Sequence, residues 1–153
     1  MDIVRELIRV IPTERYNHIV FYFEDIPIVR AEFHKKYEIS IITNSMKDLG
    51  HWKLEYMGSI NDFIDDVNNI LIYSGVDELI KKSEGSKITF RSWASIYGEI
   101  NKDRIIIEQD EKDINNAGEE YIVHKKYEIN VNISLSGRML SEVIGAFMFQ
   151  YFV

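Results

Sequence analysis

A chain of 153 residues, 46% hydrophobic and 28% charged, has the balance of one soluble globular domain over residues 1–153, long enough for a real core. The net charge of −7 repels a phosphate backbone, which argues against nucleic-acid binding and makes a basic protein the natural complement. The absence of cysteine excludes disulfides, thiolate zinc sites and a cysteine nucleophile.

The start, MDIVRELIRVIP, lacks the long apolar run and small-residue cleavage site of a signal peptide. The longest near-apolar run, Ile144 to Val153, is too short to span a membrane, so a cytoplasmic protein without membrane contact is expected. Ile3, Val4, Leu7, Ile8 and Ile11 recur at helical spacing, with Asp2 as N-cap and Pro12 as stop, which predicts a helix over 2–11. His18 to Glu24 is aromatic and β-branched with apolar residues on both faces, the mark of a central strand. Glu24-Asp25-Ile26-Pro27 reads as a turn. Ile28 to His34 and Tyr37 to Thr43 are strand candidates. Lys35-Lys36 between them is poor hairpin chemistry, so they are either one long bent strand or a bulged pair. His51 to Met57 alternates again.

Ser59 with Asp62 three residues on predicts a capped helix. Its apolar face is Ile60, Phe63, Ile64, Val67, Ile70, Leu71 and Ser74, and Gly75 ends or kinks it before another turn or two through Lys82. Ile88 to Ile100 reads as one strand that Gly98 bulges. Asn101-Lys102-Asp103 then turns it into a strand over Arg104 to Gln109, and Asp110 to Glu120 reads as an acidic loop. From His124 to Leu135 the chain alternates, with Tyr127, Ile129, Val131, Ile133 and Leu135 on one face and polar residues on the other. Ser136 caps a last helix with Met139, Leu140, Val143, Ile144, Phe147, Met148 and Tyr151 toward the core. The expected class is therefore α+β: an antiparallel sheet with helices packed on one face, in the order α-βββ(β)-α-βββ-α. That order is similar to that of secretion chaperones, which are also small, acidic and dimeric.

The hexapeptide HKKYEI occurs twice, at His34–Ile39 and His124–Ile129. It reads either as a trace of duplication or as two strands with similar surface demands. If the two strands pair, His34, Glu38, His124 and Glu128 form a four-residue site with the groups that acid–base chemistry needs. The four histidines lack HxH or HExxH spacing, so no metal is expected. Asp62, Asp65 and Asp66 suit a helix N-terminus on dipole grounds alone. Asp113, Asn115 and Gly118 take positions one, three and six of a calcium loop. Ala117 at position five and His124 at position twelve break the match. With no P-loop, GxGxxG or GxSxG in the chain, no cofactor is expected.

These residues predict a protein-binding module without catalysis, specifically a small acidic inhibitor: an immunity protein that neutralises a bacterial toxin, or a phage protein that blocks a host defence. Asp110, Glu111, Asp113, Glu119 and Glu120 would present carboxylates to a basic partner, because such charge speeds association. Trp52, Trp93 and Tyr97 are the aromatics expected to anchor a partner. The apolar tail GAFMFQYFV has too many large side chains for one helix face, which is consistent with a homodimer through the C-terminal helix. The alternatives are a dimeric secretion or folding chaperone and a small enzyme using the strand-pair site.

Overall fold

A computed structural model describes residues 2–11, 18–33, 37–42, 50–54, 59–82, 87–92 and 96–149. Four helices and eight strands follow one another as α1 (Ile3–Val10), β1 (His18–Phe23), β2 (Ile26–Glu32), β3 (Tyr37–Ile41), β4 (Gly50–Leu54), α2 (Ile60–Ser74), α3 (Val76–Lys82), β5 (Ile88–Arg91), β6 (Ile96–Ile100), β7 (Arg104–Ile114), β8 (Glu120–Asn130) and α4 (Gly137–Met148). The eight strands form one antiparallel sheet in the order β4-β3-β2-β1-β5-β6-β7-β8. The α+β class with an antiparallel sheet is as expected. Each half is a four-stranded meander running outward from the middle, and the halves meet where β1 pairs with β5. No described helix is long and apolar enough to cross a membrane.

Period-two alternation decides which face is buried. Ile19, Phe21 and Phe23 of β1 point to the helices and lie beside Ala31, Val29, Phe90 and Ile88 of the flanking strands. His18, Val20 and Tyr22 point the other way, to a face that no described helix covers. Phe21, Phe90 and Phe147 stack in series, with centroids 5.8 and 5.5 Å apart, and tie the middle of the sheet to α4.

The helix termini follow the sequence closely. Asp2 accepts from the Arg5 amide, and Ser59 and Asp62 form the reciprocal capping box. Gly75 takes the left-handed conformation at φ 91°, which an L-residue with a side chain resists, and it separates α2 from α3. The start of α4 has two acceptors. Ser136 Oγ receives the Met139 amide at 3.3 Å, and the buried Asp77 carboxylate receives the Gly137 amide at 2.7 Å while also holding Lys81 at 3.0 Å. Gly145 lets α4 approach α2 closely, because a Cβ there would lie 2.5 Å from Ile64 Cγ1. Asp65 pairs with Arg138 across the same two helices, and Asp62 serves the cap, so two of the three carboxylates at the start of α2 have structural duties. Phe147 and Met148 are fully buried in the chain's own core. Pro12 and residues 150–153, Tyr151 among them, lie outside the described residues.

Several expectations need correction. Ile88 to Ile100 is two strands: β5 and β6 pair antiparallel, closed by the Ser92 amide donating to the Ile96 carbonyl at 2.9 Å. Gly98 does not bulge the register. It makes room for the Phe90 ring, since a Cβ would come within 2.4 Å of Phe90 Cζ and 2.1 Å of the Ile106 carbonyl oxygen. Ile28–Glu32 and Tyr37–Ile41 are separate paired strands, and the bulge lies instead at Phe21/Tyr22. The stretch Asp110–Glu120 is not a loop but the outer half of the β7–β8 hairpin. The strand predicted over His124–Leu135 ends at Asn130. Beyond it, Val131 and Ile133 donate to the Asp103 and Lys102 carbonyls, and Ile133 is exposed.

Two stability measurements test this architecture. Phe90→Ala removes the middle ring of the stack and is expected to cost about 3–5 kcal/mol in urea unfolding, with both meanders melting in one transition. Glu24 and Asp25 both have positive φ, 49° and 66°, in the two-residue β1–β2 turn. Asp25→Gly therefore relieves backbone strain and is expected to raise stability by about 0.5–1 kcal/mol.

Candidate functional site: the β7–β8 arm and the uncovered sheet face

β6 ends its pairing with β7 at Gln109, but β7 and β8 continue together to Ile114 and Glu120. The result is a two-stranded arm beyond the body of the sheet. Its tip is a well-made turn. Gly118 donates to the Asn115 carbonyl at 3.0 Å and has φ 80°, and Asn115 Oδ1 accepts from the Ala117 and Glu119 amides at 2.9 Å each. Asn at the first position and Gly at the fourth is the chemistry of a type I turn with a glycine bulge. Asn115 and Gly118, at positions three and six of the calcium-like pattern, thus serve the turn, while Asp113 lies on β7. Among the described residues, no three of His, Asp or Glu lie close enough together to hold a metal.

Cross-strand partners line the arm. Lys125 meets Glu111 at 3.2 Å, and Tyr121 donates its hydroxyl to Asp113 at 3.1 Å. At its base, His124 lies between two carboxylates, with Nδ1 2.6 Å from Asp110 and Nε2 3.3 Å from Glu108. Tyr97 donates to the other Asp110 oxygen at 3.3 Å, and its ring lies 6.4 Å from the imidazole. The Asp110 hydrogen bond holds the His124 pKa above its ordinary value, and desolvation followed by Asp110 and Glu108 pushes Tyr97 up, so the phenol keeps its proton. When protonated, the ring donates from both nitrogens, to Asp110 and Glu108, and has no lone pair for a substrate. It acts as a strut between β7, β8 and β6.

The arm flanks the uncovered face. A groove of about 620 Å³ lies between the arm and the centre of the sheet, with Tyr22, Arg91, Tyr97, Lys112 and Ile122 among its walls. His18 opens onto it as well, and burial lowers its pKa, with Arg30 adding to the effect.

The predicted site residues divide as follows. Asp110, Glu111, Asp113, Glu119 and Glu120 all fall on the arm, and Tyr97 joins them through Asp110. Trp52 does not. It sits on β4 at the far edge, half-buried and edge-to-face with Tyr73 of α2 at 6.4 Å. Trp93 lies outside the described residues. The strand-pair site of His34, Glu38, His124 and Glu128 required β3 and β8 to be neighbours, and they are not. Five strands separate them, about 29 Å along the sheet at ~4.8 Å per strand. His34 itself lies outside the described residues. Glu38 is buried against His51 at 3.1 Å, and Glu128 pairs with Lys126 and Arg104. The described part of the first HKKYEI copy, Tyr37–Ile39, lies on the third strand of one meander and the second copy on the fourth strand of the other, so the described parts do not match in the structural repeat. Glu108, Arg91, Lys112 and Ile122 were not anticipated. The alternation Glu108, Asp110, Lys112 places three charges on one face, but only the strand register shows what they face.

The strut is open to test. Because the folded pKa of His124 lies above the ordinary 6.5, its contribution is complete below that value and is lost as pH rises through the folded pKa. NMR titration is expected to find His124 above 6.5 and to return it toward 6.5 in Asp110→Asn. Amide exchange in the outer arm is expected to quicken over the same rise in pH. A His124 that titrates normally in the wild-type chain would rule the strut out.

No family model, no curated protein and no solved structure matches this chain.

Proposed function

We propose that the chain is a non-catalytic protein-binding module, a small acidic inhibitor that presents the β7–β8 arm to a basic partner. An immunity protein neutralising a bacterial toxin, or a phage protein blocking a host defence, fits this role. The arm is the observation that carries the reading. Five carboxylates stand on Asp110–Glu120 against one lysine, and Ile114, Tyr121 and Ile122 are exposed on the same ribbon at 63%, 44% and 67%. Apolar and aromatic groups supply affinity at a protein interface, while the charges around them set approach and register. The turn at Asn115 and the cross-strand ion pairs hold the ribbon in shape before binding, which lowers the entropy cost of docking.

Co-purification from the native host is expected to yield a stoichiometric partner of basic pI. The triple reversal Asp113→Lys, Glu119→Lys and Glu120→Lys is expected to weaken that complex at least tenfold, mostly through a slower association rate, and to flatten its salt dependence. Asp66→Lys on α2 serves as the control and leaves binding unchanged. Equal binding by the triple variant and the wild type would overturn the arm as the interface.

A further inference from the structure

The groove beneath the arm is balanced in charge, unlike the acidic chain as a whole. Two carboxylates and two strong cations open onto it: Asp110, Glu111, Arg91 and Lys112. Both carboxylates are already engaged, Asp110 by His124 and Tyr97, and Glu111 by Lys125. Arg91 and Lys112 have no ion-pair partner among the described residues. Both are exposed on an open groove, and an Arg there without a carboxylate partner can meet an anion from outside, its planar fork suiting the two oxygens of a carboxylate or phosphate.

The walls specify the rest of the ligand. Arg91 lies directly across from Tyr97 in the β5–β6 register and directly across from Val20 in the β1–β5 register. Tyr22, one step along β1 on the same face, flanks it. Two phenol rings thus border the cation, and Ile122 of the arm closes the side opposite. The volume of about 620 Å³ lies within the range of small-ligand sites. Arg91 also reaches a second hollow of about 310 Å³ that continues between Thr89 and Glu108.

We propose that this groove binds a small aromatic oxyanion, its carboxylate or phosphate held by Arg91 and Lys112 and its ring laid against Tyr22 and Tyr97. The site shares Lys112 and Ile122 with the arm, but its anion-binding Arg91 and both tyrosines belong to the body of the sheet, so it is tested with the chain alone, without a protein partner.

The test is NMR titration of the whole chain with phenyl phosphate, benzoate, inorganic phosphate and benzyl alcohol. Phenyl phosphate or benzoate is expected to shift the amides around Tyr22, Arg91, Tyr97 and Lys112 in a saturable way. Whichever of the two binds more tightly identifies the oxyanion. Inorganic phosphate and benzyl alcohol, each carrying half of the ligand, are expected to bind at least tenfold more weakly. Arg91→Gln and Lys112→Gln are exposed-side substitutions expected to cost about tenfold each, as loss of one charge-assisted hydrogen bond does. Lys102→Gln, in the β6–β7 turn, is expected to cost nothing. The proposal is overturned if the shifts map elsewhere, if neither aromatic anion saturates, or if Arg91→Gln retains its fold and full affinity. Inorganic phosphate binding as tightly as phenyl phosphate would remove the aromatic half of the assignment.

Discussion

The fold depends on one strand pairing. Every other ladder in the sheet joins strands adjacent in sequence, so each meander is local. Within the sheet of described residues, β1 against β5, with Phe21 opposite Phe90, is the one ladder that joins strands distant in sequence. Its register determines everything outward of it, because slipping by one residue would turn each side chain to the opposite face. The aromatic series through Phe21, Phe90 and Phe147 stabilises that register from the helix side, and Gly98 keeps the next strand clear of the Phe90 ring. Loss of the pairing would leave two half-sheets, each with an apolar face and little to cover it.

The same register builds the groove. Val20, Arg91 and Tyr97 come from three strands and share one row across the uncovered face. Reading outward along that row, Glu108 and Lys126 follow. The arm arises because β7 and β8 are longer than β6. The groove and the arm are therefore not independent additions. One is the uncovered face at the junction of the meanders, and the other is the overhang of the last hairpin beside it.

Much of the local structure was legible in the chain, for identifiable reasons. Asp2, Ser59, Gly75 and Ser136 each sit where a helix terminus needs a side-chain acceptor or a left-handed residue, and the apolar faces of α2 and α4 follow a clear 3.6 period. The β6–β7 turn was visible because Asn101 offers its side chain to the amides of Asp103 and Arg104. The separation of β5 from β6 is not visible in the chain, because residues 92–95 include no Gly, Pro, Asn or Asp and apolar side chains continue on either side. The arm resembles a loop in the sequence because Asp, Glu and Lys are poor strand formers in isolation. Their partners, Lys125, His124 and Tyr121, lie on the opposite strand and become visible only with the register. The site failed for a related reason. A repeated hexapeptide suggests proximity, but sheet order decides it, and nothing local in the chain specifies the order of eight strands.

β8 is the outermost described strand of the sheet, and no described strand pairs with its outer edge. Such an edge normally invites another chain to add on and begin a fibril. Here its middle carries His124, Lys125 and Lys126 in succession. A second copy pairing antiparallel about the centre would set Lys125 against Lys125 and His124 against Lys126, like charge facing like charge. The cationic run that balances the acidic arm from within also protects a protein rich in isoleucine and phenylalanine from growing a sheet with its own kind.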